Sequence, residues 1–228
     1  MKSKIWDLPV RLFHIAIIVL AGVSWWSAEK MHEISTSAGD YLSIHVWSGC
    51  TILTLVLFRI VWGFVGSTNA RFSHFVKGPA AVVSYTKSLF SSEHRYWPGH
   101  NPLGGWSVVL MLLLLLAMPV VGLFSADDDL PGFGPSGPLS RLVSDNTSYL
   151  MAHIHHLLFS ALQVVVVVHV AAVLFYLLVK RQNLIRAMVT GAGEAEGADT
   201  LRFRPLWLAL VLLALTAGLV AAVVVGLS

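Results

Sequence analysis

The fold class this sequence predicts is an all-α integral membrane protein, and three observations predict it. Of its 228 residues, 56% are apolar and only 12% are charged, about half the charged share of an ordinary soluble domain. Five apolar windows approach the length of about 20 helical residues that a hydrocarbon core of roughly 30 Å demands. The formal charge of +3 is spread very unevenly between successive loops. Together these exclude a soluble enzyme, a nucleic-acid binder and a disordered chain. A porin-type barrel is excluded as well, because its strands alternate over roughly ten residues.

The first span is predicted at Arg11–Ala28. Lys2, Lys4 and Arg11 precede it as they would a signal peptide. Its far flank, Trp25, Trp26, Glu29 and Lys30, lacks a small-x-small cleavage pattern, so it reads as a retained helix. The second span is predicted at Leu42–Val65. A long loop, about Gly66–Gly104, follows. Within it Pro79–Phe90, with Val82, Val83, Leu89 and Phe90, reads as a short helix on the membrane surface, and Pro98-Gly99-His100-Asn101-Pro102 as a turn cluster. The third span is Gly105–Phe124, where Pro119 is expected to introduce a kink. The loop Ser125–Tyr149 is rich in Gly and Pro and acidic, with Asp127, Asp128, Asp129 and Asp145 against Arg141. The fourth span, Met151–Val179, contains five consecutive valines, Val164–Val168. Gly191–Thr200 reads as a flexible linker to the fifth span, Pro205–Leu227. The domain organisation is therefore a four-helix unit over 1–190, a linker over 191–203 and an additional C-terminal helix over 204–228. That last helix carries Ala214, Gly218, Ala222 and Gly226 at a spacing of four, a small-residue ridge that permits close helix contact in lipid. The contact is with the bundle itself, with a second copy in a homodimer, or with a partner.

Orientation follows from the basic residues. With the N-terminus inside, only Lys30 and Arg141 fall outside, so 13 of the 15 lysines and arginines lie on or at the inner side. The positive-inside rule favours this arrangement. The basic balance then reflects anionic lipid headgroups rather than a nucleic acid.

Four of the ten histidines fall in or at the ends of apolar spans: His14, His45, His155 and His169. Imidazole is costly to bury in lipid, so such residues are functional candidates, and it is also the commonest side-chain metal ligand. From His155 to His169 the fourth span makes nearly four turns. Both rings therefore leave roughly one face, about 21 Å apart along the axis. His153 and His156 leave the other side and are excluded from that stripe. With the N-terminus inside, His14 and His169 share the inner depth, while His45 and His155 share the outer depth. The inner pairing requires some tilt, since about three turns separate His169 from Lys180 but less than one separates Arg11 from His14. Two imidazoles facing across a gap are the axial ligands of a six-coordinate b-type haem. Zinc would need about four protein ligands, and no Cys, Asp or Glu lies at matching depth. The single cysteine, Cys50, lies in an apolar run, and the absence of Cys-x-x-Cys-His excludes covalent haem attachment. His32, His74, His94 and His100 read as solvated or interfacial, His100 with some prospect of a role at an inner site.

Arg59 follows His45 on the second span by the same interval of nearly four turns, on the same face at the inner boundary. It reads equally as a positive-inside anchor and as a fork for a haem propionate. Arg11, one turn before His14, has the same two readings, with the anchor favoured.

These residues resemble a known family. Trp6-Asp7-Leu8-Pro9-Val10-Arg11-Leu12-Phe13-His14, His45-Val46-Trp47-Ser48-Gly49, Arg59-Ile60-Val61-Trp62-Gly63 and the spacing of His155 and His169 are similar to the bacterial cytochrome b561 and nickel-hydrogenase cytochrome b superfamily. Gly99-His100-Asn101-Pro102-Leu103-Gly104-Gly105 resembles one branch of it. The resemblance covers about residues 4–190. It implies a four-helix bundle holding two b haems, with His14, His45, His155 and His169 at the ligand positions, and electron transfer between the membrane quinone pool and a redox partner. His156 departs from relatives that carry an acidic residue there.

The expectation is thus a multi-pass bacterial inner-membrane protein with a cytoplasmic N-terminus and two non-covalent haem b groups. It would pass electrons between quinone and a periplasmic partner such as a cytochrome c, whose basic face the acidic loop at Asp127–Asp129 would attract. Nothing in the sequence points to bond-making chemistry, although a small oxidase acting on superoxide remains open. The rival readings are a membrane anchor subunit of a hydrogenase- or molybdoenzyme-like complex, a histidine-lined proton or metal transporter, and a haem-free structural anchor. Val164–Val168 argues against the transporter, because a path between the two depths would need polar residues there.

Overall fold

The computed structural model describes residues 3–31, 38–89, 97, 99–126, 136–193 and 200–227. Asp127–Asp129, His32, His94, Phe90 and most of the expected linker therefore lie outside the described residues. The architecture is all-α, with five helices long and apolar enough to cross a membrane: α1 (Leu8–Met31), α2 (Ala38–Val65), α5 (Pro102–Leu123), α6 (Asp145–Leu178) and α8 (Leu206–Leu227). Among the described residues there are also three shorter α-helices, α3 (Phe72–Phe75), α4 (Pro79–Ser88) and α7 (Leu184–Thr190).

Helix starts differ from the apolar windows because capping groups, not hydropathy, set them. The α1 helix begins at Leu8, where the Asp7 carboxylate accepts from the Val10 backbone N–H at 3.0 Å, as an N-cap does. The α5 helix opens on Pro102, which suits a first helical position, and Asn101 Oδ1 accepts from Gly104 N–H at 2.7 Å. The α6 helix begins well before the expected Met151, at Asp145, with Ser144 beside its first turn. Its polar start, Asp145-Asn146-Thr147-Ser148, is what an apolar window omits.

The chain divides into two compact units, and every long helix contributes to both. The first unit comprises Met1–Phe13, Arg59–Leu112 and Val164–Leu212. Its buried side chains include Trp6, Val10, Trp62 and Phe75 together with the polar Asp7, Arg59 and Asn69. A two-residue antiparallel ladder joins β1 (Ser3–Lys4) to β2 (Ala192–Gly193). Before it, α7 ends at Gly191 with φ 80°, a left-handed conformation that glycine adopts without a Cβ penalty. The segment leading into α8 is held by Thr68 N–H to Arg202 O at 3.0 Å and Arg204 N–H to Ser67 Oγ at 3.1 Å. No residue of α4 is buried, in keeping with a helix lying on a surface.

The second unit comprises His14–Phe58, Leu113–Gln163 and Leu213–Ser228. Leu53, Leu123, Leu139 and Val220 form a buried cluster with Cys50 and Leu116 packed against it. Val220 and Thr216 therefore mark the inward side of α8. The small-residue ridge is on the other side: Ala214, Gly218, Ala222 and Gly226 are all exposed, and open space surrounds the Cα of Gly218 and Gly226.

Candidate functional site

In the second unit, His45 on α2 and His155 on α6 face one another with ring centroids 6.1 Å apart and planes turned by 74°. Both rings are sheltered rather than exposed. Each is oriented by a backbone carbonyl on a different helix. His45 Nδ1 lies 2.9 Å from Ser24 O of α1, with Ser24 Oγ at 3.2 Å. His155 Nδ1 lies 2.9 Å from Met118 O of α5. A carbonyl oxygen only accepts, so Nδ1 carries the hydrogen in both rings. Each Nε2 is then left with its lone pair, the form in which imidazole binds a metal. Four helices thus converge on one pair: two supply rings and two supply the carbonyls that fix their tautomer.

Local sequence explains the convergence. Ser27 Oγ donates to Ser24 O at 2.9 Å and Ser48 Oγ donates to His45 O at 2.9 Å. Ser24, Ser27 and Ser48 are all buried; Ser27 and Ser48 each satisfy their hydroxyl on a carbonyl one turn back in their own helix, and Ser24 meets the His45 ring where α1 meets α2. On α5, a Cβ at Gly122 would come within 3.0 Å of the His155 ring. Glycine is what lets α5 approach closely enough for Met118 O to reach the imidazole.

Along α6 the sheltered positions include His155, Leu158, Leu162, Val165, His169, Val173 and Tyr176, while His153 and His156 are exposed. The two histidines expected on one face do share it, and the two expected elsewhere do not. His14 belongs to the second unit and His169 to the first. Each is partly sheltered on its own helix.

In the first unit, the two tryptophan-containing motifs meet at one carboxylate. Asp7 caps α1 with one oxygen and accepts from Trp62 Nε1 at 2.9 Å with the other. Arg59, just before Trp62 in the chain, is 2% exposed. It donates from Nη1 to Ala70 O at 3.1 Å and lies over the Phe72 ring at 5.8 Å. Burial disfavours this charged guanidinium, and the Asp7 charge acts through space to offset part of that cost. Arg11 turns toward α7, donating from Nε to Met188 O at 3.1 Å and from Nη2 to Val189 O. A cation at the last carbonyls of a helix is favourable on both hydrogen-bonding and dipole grounds.

Residues 5–191 match the family described as prokaryotic cytochrome b561. The chain belongs to that family. It is also similar, at 24% identity over 212 residues, to a protein of Bradyrhizobium diazoefficiens (strain JCM 10833 / BCRC 13528 / IAM 13628 / NBRC 14792 / USDA 110) described as a "probable Ni/Fe-hydrogenase B-type cytochrome subunit"; the match covers 82% of this chain and 84% of that protein. No solved structure matches. The cytochrome is accordingly a multi-pass membrane protein of the b type acting in electron transfer, and its family implies haem b.

The matched region ends with α7, so α8 is an addition to the family's part of this cytochrome. His100, from the turn cluster, sits between Trp6 and Phe75, with ring centroids 4.7 Å from each. Its neighbour Asn101 donates to the Tyr176 hydroxyl at 3.0 Å, and that hydroxyl also contacts the Tyr85 hydroxyl. Burial, and then this contact, push the Tyr85 phenol above its ordinary value. His74, beside α4, is shifted down by burial and by the nearby Lys77 and Arg71 charges.

Sequence reasoning missed Ser24, Met118 and Gly122. A signal existed for the first: Ser24, Ser27 and Ser48 are polar residues in otherwise apolar spans at the depth of His45. Met118 acts through its backbone and leaves no trace in residue type, and Gly122 is one glycine among 18.

Proposed function

We propose that the cytochrome carries electrons through two bis-histidine b-type haems, His45 with His155 and His14 with His169, between membrane quinone and a redox partner such as a cytochrome c at the outer side of a bacterial inner membrane. The observation that carries this reading is the His45–His155 pair. Two imidazoles that held one iron between their Nε2 atoms, with metal–nitrogen bonds of about 2 Å, would have their centroids roughly 6 Å apart. The observed spacing is 6.1 Å, and both Nε2 lone pairs are left available by the carbonyls at Nδ1. The donor set at this pair is two imidazoles, which suits a group that brings four nitrogen ligands of its own.

Haem bound there supplies reversible one-electron chemistry at a potential set by its axial ligands and burial. The residues of this chain do the rest. Ser24 O and Met118 O hold the rings in one tautomer and raise their basicity as ligands. Buried Arg59 offers a guanidinium fork for a propionate at the inner side. The N-terminus lies in the cytoplasm, as the basic residues favour.

A second reading, favoured by the description of the Bradyrhizobium relative, makes the cytochrome the membrane subunit of a larger hydrogenase-like enzyme. It keeps the same haems and changes the donor. Stable co-purification with a second redox subunit distinguishes it.

The test is haem content per polypeptide, with a dithionite-reduced minus oxidised spectrum of the purified protein. Two low-spin b haems are expected, with His155→Ala and His169→Ala each losing a different one. One haem in the unaltered protein removes the His14–His169 pair. A folded protein with none overturns the reading altogether.

A further inference from the structure

Gln163 stands apart from every other residue of the long helices. Apart from Asn146 in the first turn of α6, those five helices contain no other asparagine or glutamine. Gln163 is exposed on α6, and its carboxamide makes no hydrogen bond among the described residues. It continues a polar stripe formed by His153, His156 and Ser160, all exposed. Their spacing, alternating between three and four positions, puts them on one helix face. Ser160 satisfies itself by donating to His156 O at 3.1 Å. Gln163 has no such recourse.

Nor can it escape the hydrocarbon. The α6 helix has 34 residues, but a bilayer core takes only about 20. Every stretch of that length within Asp145–Leu178 contains both Ser160 and Gln163, whichever end of the helix protrudes. An unpartnered carboxamide facing lipid is expensive, and such groups are satisfied by hydrogen bonds to another membrane helix.

We propose that this face of α6 binds the same face of a second copy of the chain. The argument for a second copy is chemical. A carboxamide is both donor and acceptor, so it is complementary to itself. Two copies with the same membrane orientation are related by a two-fold axis along the membrane normal, and such an interface is isologous. That axis brings each Gln163 to its own counterpart at equal depth, with Ser160 and His156 beside their counterparts. The ridge of α8, for which a second copy is one of three possible contacts, supplies no comparable hydrogen-bonding requirement, so self-association is assigned to α6.

The experiment uses the full chain in lipid nanodiscs or native membranes. In a Cys50→Ser background, Gln163→Cys is oxidised with copper phenanthroline, and Val168→Cys is the control. Val168 is also exposed, but it is turned by about 140° from Gln163 at roughly 100° per residue. A covalent dimer through position 163 and not 168 is expected. Gln163→Leu should raise the dissociation constant of the dimer about three- to tenfold, the effect of one interhelical hydrogen bond, with helical circular dichroism unchanged. The proposal is overturned by a wild-type protein that is monomeric at every protein-to-lipid ratio. It is equally overturned if position 163 cross-links only to a different polypeptide, or if Gly218→Leu dissociates the dimer while Gln163→Leu does not.

Discussion

His45 and His155 owe their chemistry to what touches their far nitrogens. Ser24 O and Met118 O each lie 2.9 Å from an Nδ1, so both rings are oriented by the chain itself. Gly122 is the point of least tolerance. Its Cβ would lie 3.0 Å from His155 Cε1 and Nδ1, and overpacking of this kind costs about 1–3 kcal/mol. On the proposed two-haem assignment, Gly122→Ala is therefore expected to weaken haem retention at the His45–His155 site by about ten- to a hundredfold and to leave the other haem in place. Competitive haem transfer to an apo-globin, followed by the reduced-minus-oxidised spectrum, measures this. Asp7 has a different role at the same scale. Its two oxygens hold Val10 N–H and Trp62 Nε1, and its charge offsets part of the cost of burying Arg59. Asp7→Asn keeps the shape, removes the charge and one acceptor, and should lower stability by about 1.5–3 kcal/mol. Thermal unfolding in mild detergent reads this loss, and an unchanged melting point would mean that Arg59 is neutralised by some other group.

At the scale of elements, the short helices between α2 and α5 matter more than their length suggests. The α3–α4 region carries Arg71, His74, Lys77 and Lys87, and His74 is shifted down by burial, by Lys77 and by Arg71. The folded protein thus takes up the His74 proton at lower pH than the unfolded chain, so the unfolded state binds more protons through this range. Stability therefore falls as pH drops through the ordinary histidine value near 6.5 and levels off once the folded-state value is passed. A His74→Gln variant should lose less melting temperature than the parent between pH 7 and pH 5, and match its pH dependence between pH 7 and pH 8. The α7 helix shows how the N-terminal segment is fastened: Arg11 holds its last carbonyls, and Gly191 O accepts from Ile5 and Trp6 N–H at 2.7 and 3.1 Å. The sequence marked Arg11 for its position before His14, whereas its neighbours come from a helix 177 residues away.

For the whole molecule, five spans with an internal N-terminus place the C-terminus on the opposite side. Alkaline phosphatase fused after Leu227 should be active and a fluorescent protein there dark; the reverse result would invert the proposed topology. Much of this architecture is legible in the sequence because lipid imposes it locally. A span must be apolar for about 20 residues and satisfy its own backbone, so the five helices are visible without knowledge of their neighbours, and only their capped ends are displaced. The face shared by His155 and His169 is equally local, since it follows from helical pitch alone. What the tertiary structure decided is everything that depends on two helices meeting: the 6.1 Å gap between His45 and His155, the carbonyls of Ser24 and Met118 that fix their tautomers, the room that Gly122 leaves, and the junction of two motifs at Asp7. It also decided which side of α8 and α6 is left outward, because burial depends on packed neighbours and not on residue type. Backbone carbonyls are the same in every residue and a glycine matters only for what approaches it, so no reading of composition or period reaches them.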